Sequence, residues 1–276
     1  SSLFIAAALS ATSIGITAAV LKELGKISTE AAKLIIGAAV IDDILGLLIL
    51  SVVSSIPGGF EIVSISLTAI KAIIFVFAAV LIGDKLLARL IDLFDYHIIG
   101  VHSPKTTFML AMALAFAYSF IAEWIGLSAI VGAFLAGVSL ARSRNVKLFY
   151  AGTEYLEIIF TSIFFVSLGT IVNIGEAMSV WMLIIALTVV AILTKIVGCG
   201  YTAKKLGFSS KDSKIIGVGM MPRGEVALII GLYGITLGVI SNSIYSAIVL
   251  MSFITTIITP FMLNKLYSEE KIKKPL

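Results

Sequence analysis

The sequence predicts an all-α polytopic membrane protein, and three observations carry that prediction. Only 13% of the residues are charged while 59% are hydrophobic, the mean hydropathy is +1.13, and apolar segments long enough to cross a bilayer recur from end to end. An ordinary soluble domain carries about 25% charged residues. The charge content alone therefore sets this chain apart.

Crossing the hydrocarbon takes about 20 largely apolar residues in a helix. Nine such segments can be read, several of them tilted or broken. The first, residues 3–21, carries Ala11, Thr12, Ser13 and Gly15 near mid-depth, small and polar residues that weaken a helix. The second, 34–56, is uncharged except for Asp42 and Asp43. The third, 62–82, extends as far as Phe94 if the helix continues, longer than one crossing requires, and then fits a tilted helix linking two bundles. The fourth to sixth, 106–125, 127–140 and 155–174, include Gly132, Ala136 and Gly137, which suit close helix packing. The seventh, 180–203, contains Lys195. The eighth, 215–240, is interrupted by Pro222, Arg223, Gly224 and Glu225, where Pro removes a backbone donor. The ninth is 244–266.

The chain opens at Ser1 within an apolar stretch, without a basic leader or cleavage site. It reads as a piece lacking a signal peptide and missing its N-terminal helices. The single Cys199 excludes an internal disulfide framework. No resident cofactor, metal-ligand cluster or catalytic residue set is read from the sequence.

Charge asymmetry orients the spans, because short cytoplasmic loops collect Lys and Arg. Basic residues follow the first, third, fifth, seventh and ninth spans, whereas the connections at 57–61, 123–128, 173–179 and 238–243 contain none. Of the 20 basic residues, all but Lys71, Lys195 and Arg223 thus fall on one side. That side is expected to be cytoplasmic and to hold the C-terminal tail. The net charge of +4 reflects this bias and implies no nucleic-acid partner; the bilayer is the expected surroundings. The interrupted first and eighth spans have opposite orientations, the pattern of inverted repeats around a midplane site.

An acid at the centre of a membrane helix costs about 3 kcal/mol on insertion scales. Asp42 and Asp43 must therefore meet a partner, water or a cation, and a site handling cations or protons is the reading that follows. Consecutive helical residues point about 100° apart, so the two have separate jobs. Lys195 is the best candidate partner: at about 1.5 Å rise per residue, its offset from the carboxylates is on the order of 5 Å. Alternatively, Lys195 snorkels to the interface, or both acids are ion-pair partners that stabilise packing. Arg223 and Glu225, beside Pro222 and Gly224, fit a structural role at the helix break, satisfying freed backbone groups or a buried acid such as Glu154 or Glu157. Thr12 and Ser13 offer oxygen ligands suited to Na⁺, or else serve packing. Lys71 reads as an interfacial snorkeller. His97 and His102 lie in a loop where they either sense pH or are simply solvated.

The runs Ala11-Thr12-Ser13-Ile14-Gly15-Ile16-Thr17, Gly37-Ala38-Ala39-Val40-Ile41-Asp42-Asp43, Thr194-Lys195-Ile196 and Met221-Pro222-Arg223-Gly224-Glu225-Val226 together resemble the prokaryotic monovalent cation:proton antiporters of the NapA type, relatives of NhaA. The resemblance implies an NhaA-like fold with inverted repeats and two crossing broken helices, the N-terminal helices being missing from this chain. It divides the chain into core at 1–60, a linking helix at 61–95, dimerisation or scaffold helices at 96–175, the second inverted repeat at 176–268 and a cytoplasmic tail at 269–276. It further implies a homodimer in a prokaryotic plasma membrane, with a role in pH homeostasis. Carried over by position, Asp43 is the main Na⁺- and proton-binding carboxylate, Asp42 the partner of Lys195, and Thr12 lies at the crossing. The Asp-Asp form implies electrogenic exchange.

Two rivals lie within transport, a K⁺/H⁺ antiporter or a K⁺ efflux system; the latter usually carries a nucleotide-binding domain, and no G-x-G-x-x-G fingerprint is present. A cation channel would conduct without proton coupling. An intramembrane aspartyl protease needs carboxylates converging from separate helices, unlike the adjacent Asp42 and Asp43.

Overall fold

A computed structural model describes residues 2–55, 62–82, 104–127, 129–141 and 143–272. Among the described residues the chain is all α, with no strand. In chain order the helices are α1 (Ser2–Ser10), α2 (Gly15–Glu23), α3 (Glu30–Ser55), α4 (Ile62–Ile82), α5 (Pro104–Trp124), α6 (Ala129–Leu140), α7 (Val146–Thr170), α8 (Ile174–Ser179), α9 (Trp181–Lys205), α10 (Ser210–Gly219), α11 (Glu225–Thr236) and α12 (Asn242–Ile272). They divide into two compact units, Ser1–Gly46 with Leu168–Leu276, and Leu47–Ser167.

Helix starts follow local chemistry. The Thr29 hydroxyl accepts the Ala32 N–H at 3.3 Å, Asn173 Oδ1 the Glu176 N–H at 3.2 Å, Ser209 Oγ the Asp212 N–H at 3.0 Å and Ser241 Oγ the Ile244 N–H at 3.3 Å. Each satisfies a donor that the first helical turn leaves without a partner. Stops are as specific. Gly25 after α2 and Gly238 after α11 adopt φ of +65° and +66°. The following amides, Lys26 and Val239, reach back to the Leu21 and Gly234 carbonyls at 2.7 and 2.9 Å. This is the left-handed glycine cap. It closes the second half of both interrupted spans in the same way.

In the first unit α9 packs on α10 and α12, and α1 on α11. Apolar burial gains little against lipid, so close approach and hydrogen bonds must hold membrane helices together. Glycines supply the approach: a Cβ on Gly217 would lie 3.0 Å from Ile196 Cα, and one on Gly200 3.0 Å from the Ser213 carbonyl. A buried cluster of Leu21, Ile35, Ala39, Ile215, Ile216 and Leu263 joins α2, α3, α10 and α12.

In the second unit α6 packs against α4 and α5. Gly132 leaves no room for a Cβ against the Tyr118 backbone, as its small size predicts. The Ser139 hydroxyl donates to Leu135 O at 2.7 Å and to Ala79 O at 3.1 Å, tying α6 to α4.

Large apolar side chains cover the outside. Phe77, Phe116, Phe120, Phe160, Phe253 and Phe261 are between 62% and 71% exposed, a distribution that is costly in water and natural in lipid. Among the described residues, five helical stretches are long and apolar enough to cross a membrane, Ser2–Glu23 counted across its interruption.

Some boundaries differ from those read in the sequence. The sixth span begins at Val146 rather than residue 155 and ends at Thr170, because the polar turn through Thr153, Glu154 and Glu157 stays helical with its side chains exposed. The connection at 173–179 contains the short helix α8, started by its Asn173 cap. The continuation of the third span to Phe94, much of the linking segment 61–95, and His97 and His102 lie outside the described residues.

Candidate functional site

The first unit brings the two interrupted spans together. Residues 11–14 between α1 and α2, and 221–224 between α10 and α11, are not helical. Pro222, which lacks a donor, and the small residues Thr12, Ser13 and Gly224 account for the breaks. The Ser13 N–H donates to the Pro222 carbonyl at 2.9 Å, so main chain joins main chain. The Ser13 hydroxyl donates to Glu225 Oε2 at 3.0 Å, and the buried Thr17 hydroxyl to the Gly219 carbonyl at 2.8 Å. Gly224 is required here, since a Cβ on it would lie 2.5 Å from Ser13 Cβ and 2.6 Å from Ser13 Oγ.

Four half-helix ends meet at this joint. Neither the α2 nor the α11 N-terminus carries a side-chain cap, so their amides present partial positive charge. The C-termini of α1 and α10 present carbonyls with the opposite polarity. Such a joint offers donors to anions and oxygens to cations.

α3 brings the carboxylates alongside. Its Ile35 packs over Gly219, and at Gly46 a Cβ would touch Val226 of α11 at 3.6 Å. Lys195 Nζ on α9 lies 3.3 Å from Asp42 Oδ1, with side-chain exposures of 13% and 22%. The pair inferred from axial spacing is therefore formed. The other Asp42 oxygen, Oδ2, is buried without a hydrogen-bond partner. Asp43, half-buried, makes no hydrogen bond or ion pair among the described residues, and Glu225 and Asp42 both lie within electrostatic range of it. The buried Thr12 Oγ1 also lacks a hydrogen-bond partner. The site thus combines one neutralised acid, one uncompensated acid and spare oxygen.

Arg223 is 1% exposed. Its Nη2 donates to the Ala191 carbonyl at 3.2 Å, while Glu154 and Glu157 are exposed on α7. Of the two structural roles expected of Arg223, bonding to backbone or to a buried acid, this bond is of the first kind. Two threonines that the sequence reading did not single out hold its backbone: the Arg223 N–H donates to Thr255 Oγ1 at 3.2 Å, and Thr256 Oγ1 donates to the Arg223 carbonyl at 2.9 Å. Their signal was the polar stripe Ser252, Thr255, Thr256 and Thr259, spaced i, i+3, i+4 and i+7 along an otherwise apolar span. Thr17 was likewise missed as a bond across the joint. Ser13, expected as a possible ion ligand, has its proton directed to Glu225.

An all-α membrane protein with partly buried acids and a paired lysine beside the joint of two interrupted helices has the architecture of a secondary transporter. The sequence matches the family described as sodium/hydrogen exchanger, transmembrane, over residues 1–267, and the chain belongs to that family. It is similar to the high-affinity Na(+)/H(+) antiporter NhaS3 of Synechocystis, 36% identical over 99% of this chain and 61% of that protein. It is 34% identical to the Na(+)/H(+)-K(+) antiporter GerN of Bacillus cereus over 95% of this chain and 66% of that one. To the K(+)/H(+) antiporter 1 of Saccharomyces cerevisiae it is 28% identical, over 96% of this chain and 31% of the relative. The chain thus spans 61% and 66% of the lengths of the two bacterial relatives.

Proposed function

We propose that this protein exchanges Na⁺ or Li⁺ for H⁺ across a membrane by alternating access, with Asp43 as the carboxylate for which cation and proton compete. The observation that carries the reading is the division of labour between neighbours: Lys195 occupies Asp42 at 3.3 Å, while Asp43 remains uncompensated beside the joint. An empty Asp43 anion meets a large desolvation penalty in the hydrophobic barrier. Neutralised by Na⁺ or by a proton, it does not. Loaded sites cross and empty ones stay, which couples the two fluxes.

Thr12, the carbonyls at the α1 terminus and Asp43 supply the hard oxygen donors that an alkali cation prefers. Loading weakens the Asp42–Lys195 pair, and loss of a proton by Lys195 makes the exchange electrogenic, with two protons for one cation. The Lys and Arg distribution supports a cytoplasmic C-terminus in a prokaryotic plasma membrane, and the complete protein acts as a homodimer. Na⁺-driven proton flux in proteoliposomes tests the assignment: unchanged flux in Asp43→Ala defeats it, and electroneutral transport under voltage clamp removes the two-proton version.

A K⁺/H⁺ antiporter is the second reading, favoured by the names of the Bacillus and yeast relatives. Comparing proton flux driven by Na⁺, Li⁺ and K⁺ in the full-length protein separates the two.

A further inference from the structure

Three charged side chains converge on one turn of α9. Ala191 O, the acceptor of Arg223 Nη2, lies four residues before Lys195, so within the helix that carbonyl faces the Lys195 amide. From this same turn Lys195 Nζ reaches Asp42 Oδ1. Arg223 uses only part of its capacity there, because Nε and Nη1 are buried without a hydrogen-bond partner, as is Asp42 Oδ2. Buried donors and acceptors without partners are costly, ionised ones most of all. Among the described residues, Asp42 and the Cys199 thiol both lie within electrostatic range of Arg223. The Arg223 backbone is held on both sides by Thr255 and Thr256. Rearrangement is thereby confined to the guanidinium and its long stem.

We propose that Arg223 is the standby partner of Asp42, taking Oδ2 through one of its two spare donors, Nε or Nη1, when Lys195 lets go. The moment of release rests on the exchange reading above; the pairing itself does not. With Arg223 in waiting, Lys195 leaves without stranding a buried anion, and Asp42 stays ionised throughout. Arg223 then acts as a positioning residue for Asp42, not as a ligand of the transported ion. A fork of planar donors suits this task better than a second ammonium, since it holds Ala191 O and a carboxylate together.

The test is a set of melting curves and flux measurements on the full-length protein carrying Lys195→Gln, Arg223→Gln, Arg223→Lys and the two doubles. The standby role predicts that Arg223→Gln lowers the melting temperature about 5 °C more in the Lys195→Gln background than alone, and that Arg223→Lys recovers most of this extra loss. Whatever flux Lys195→Gln retains should be kept when Arg223→Lys is added and lost when Arg223→Gln is added. Equal shifts in the two backgrounds, or Gln and Lys behaving alike, would overturn the proposal. If Arg223→Gln does not fold alone, Asp42→Asn is added: recovery supports pairing through Asp42, and no recovery assigns Arg223 to Ala191 alone. Melting reads the pairing even if the unsubstituted protein shows no cation-driven flux, so failure of the transport reading is distinguished from failure of this one.

Discussion

Replacing Gly224 by Ala probes the joint directly. The new Cβ would lie 2.5 Å from Ser13 Cβ and 2.6 Å from Ser13 Oγ, about 1 Å inside ordinary contact. Ser13 cannot retreat freely, because its amide holds Pro222 O at 2.9 Å and its hydroxyl holds Glu225 at 3.0 Å. Overpacking of this kind costs about 1–3 kcal/mol, and each hydrogen bond loosened adds about 1 kcal/mol. The expected destabilisation is about 4 kcal/mol, or roughly 8 °C in melting temperature for a chain of this size. Flux in proteoliposomes should fall further than stability, since the displaced atoms border Thr12 and Glu225. Ser13→Gly in the same protein removes both atoms that the Cβ meets and should recover the packing part, whereas Ser13→Ala retains the closer contact and should not. Parental melting and flux in Gly224→Ala would refute the geometry of the joint.

Other substitutions separate frame from function. Asp43→Asn should abolish Na⁺-driven proton flux and raise the melting temperature, because it removes an uncompensated acid next to Asp42 and Glu225; flux and thermal unfolding are read on one preparation. Thr17→Val deletes a buried bond to Gly219 O and leaves that carbonyl without its side-chain donor, at a cost of about 1–3 kcal/mol, measurable by thermal unfolding. Thr255→Val with Thr256→Val frees both backbone groups of Arg223. Their combined cost should be about 2 kcal/mol, and more than additive if the two act as one clamp.

Much of the site was legible because it breaks local rules. Adjacent acids in an apolar helix, a lysine at reachable depth, and Pro222 and Gly224 in the middle of a span each conflict with an uninterrupted membrane helix. These conflicts mark the joint and the Asp42–Lys195 pair in the sequence itself. The bonds to Ala191 O and Gly219 O were not legible, because backbone carbonyls have no signature in a sequence. Thr255 and Thr256 carry no mark in the sequence beyond a polar stripe on an apolar span, and it is the fold that sets Arg223 against them. The Asn173 cap and α8 were hidden in six residues of mixed polarity, too few for a helical period to emerge.

The Ser13 to Pro222 bond has a bearing on how such a protein can diverge. Since both partners are backbone atoms, any residue but proline at 13 retains the donor, and any residue at 222 retains the acceptor. Chemistry at the neighbouring positions can change while the weld between the two half-spans persists. The side chains at Thr12 and Ser13 are then open to change without dismantling the backbone frame that carries them.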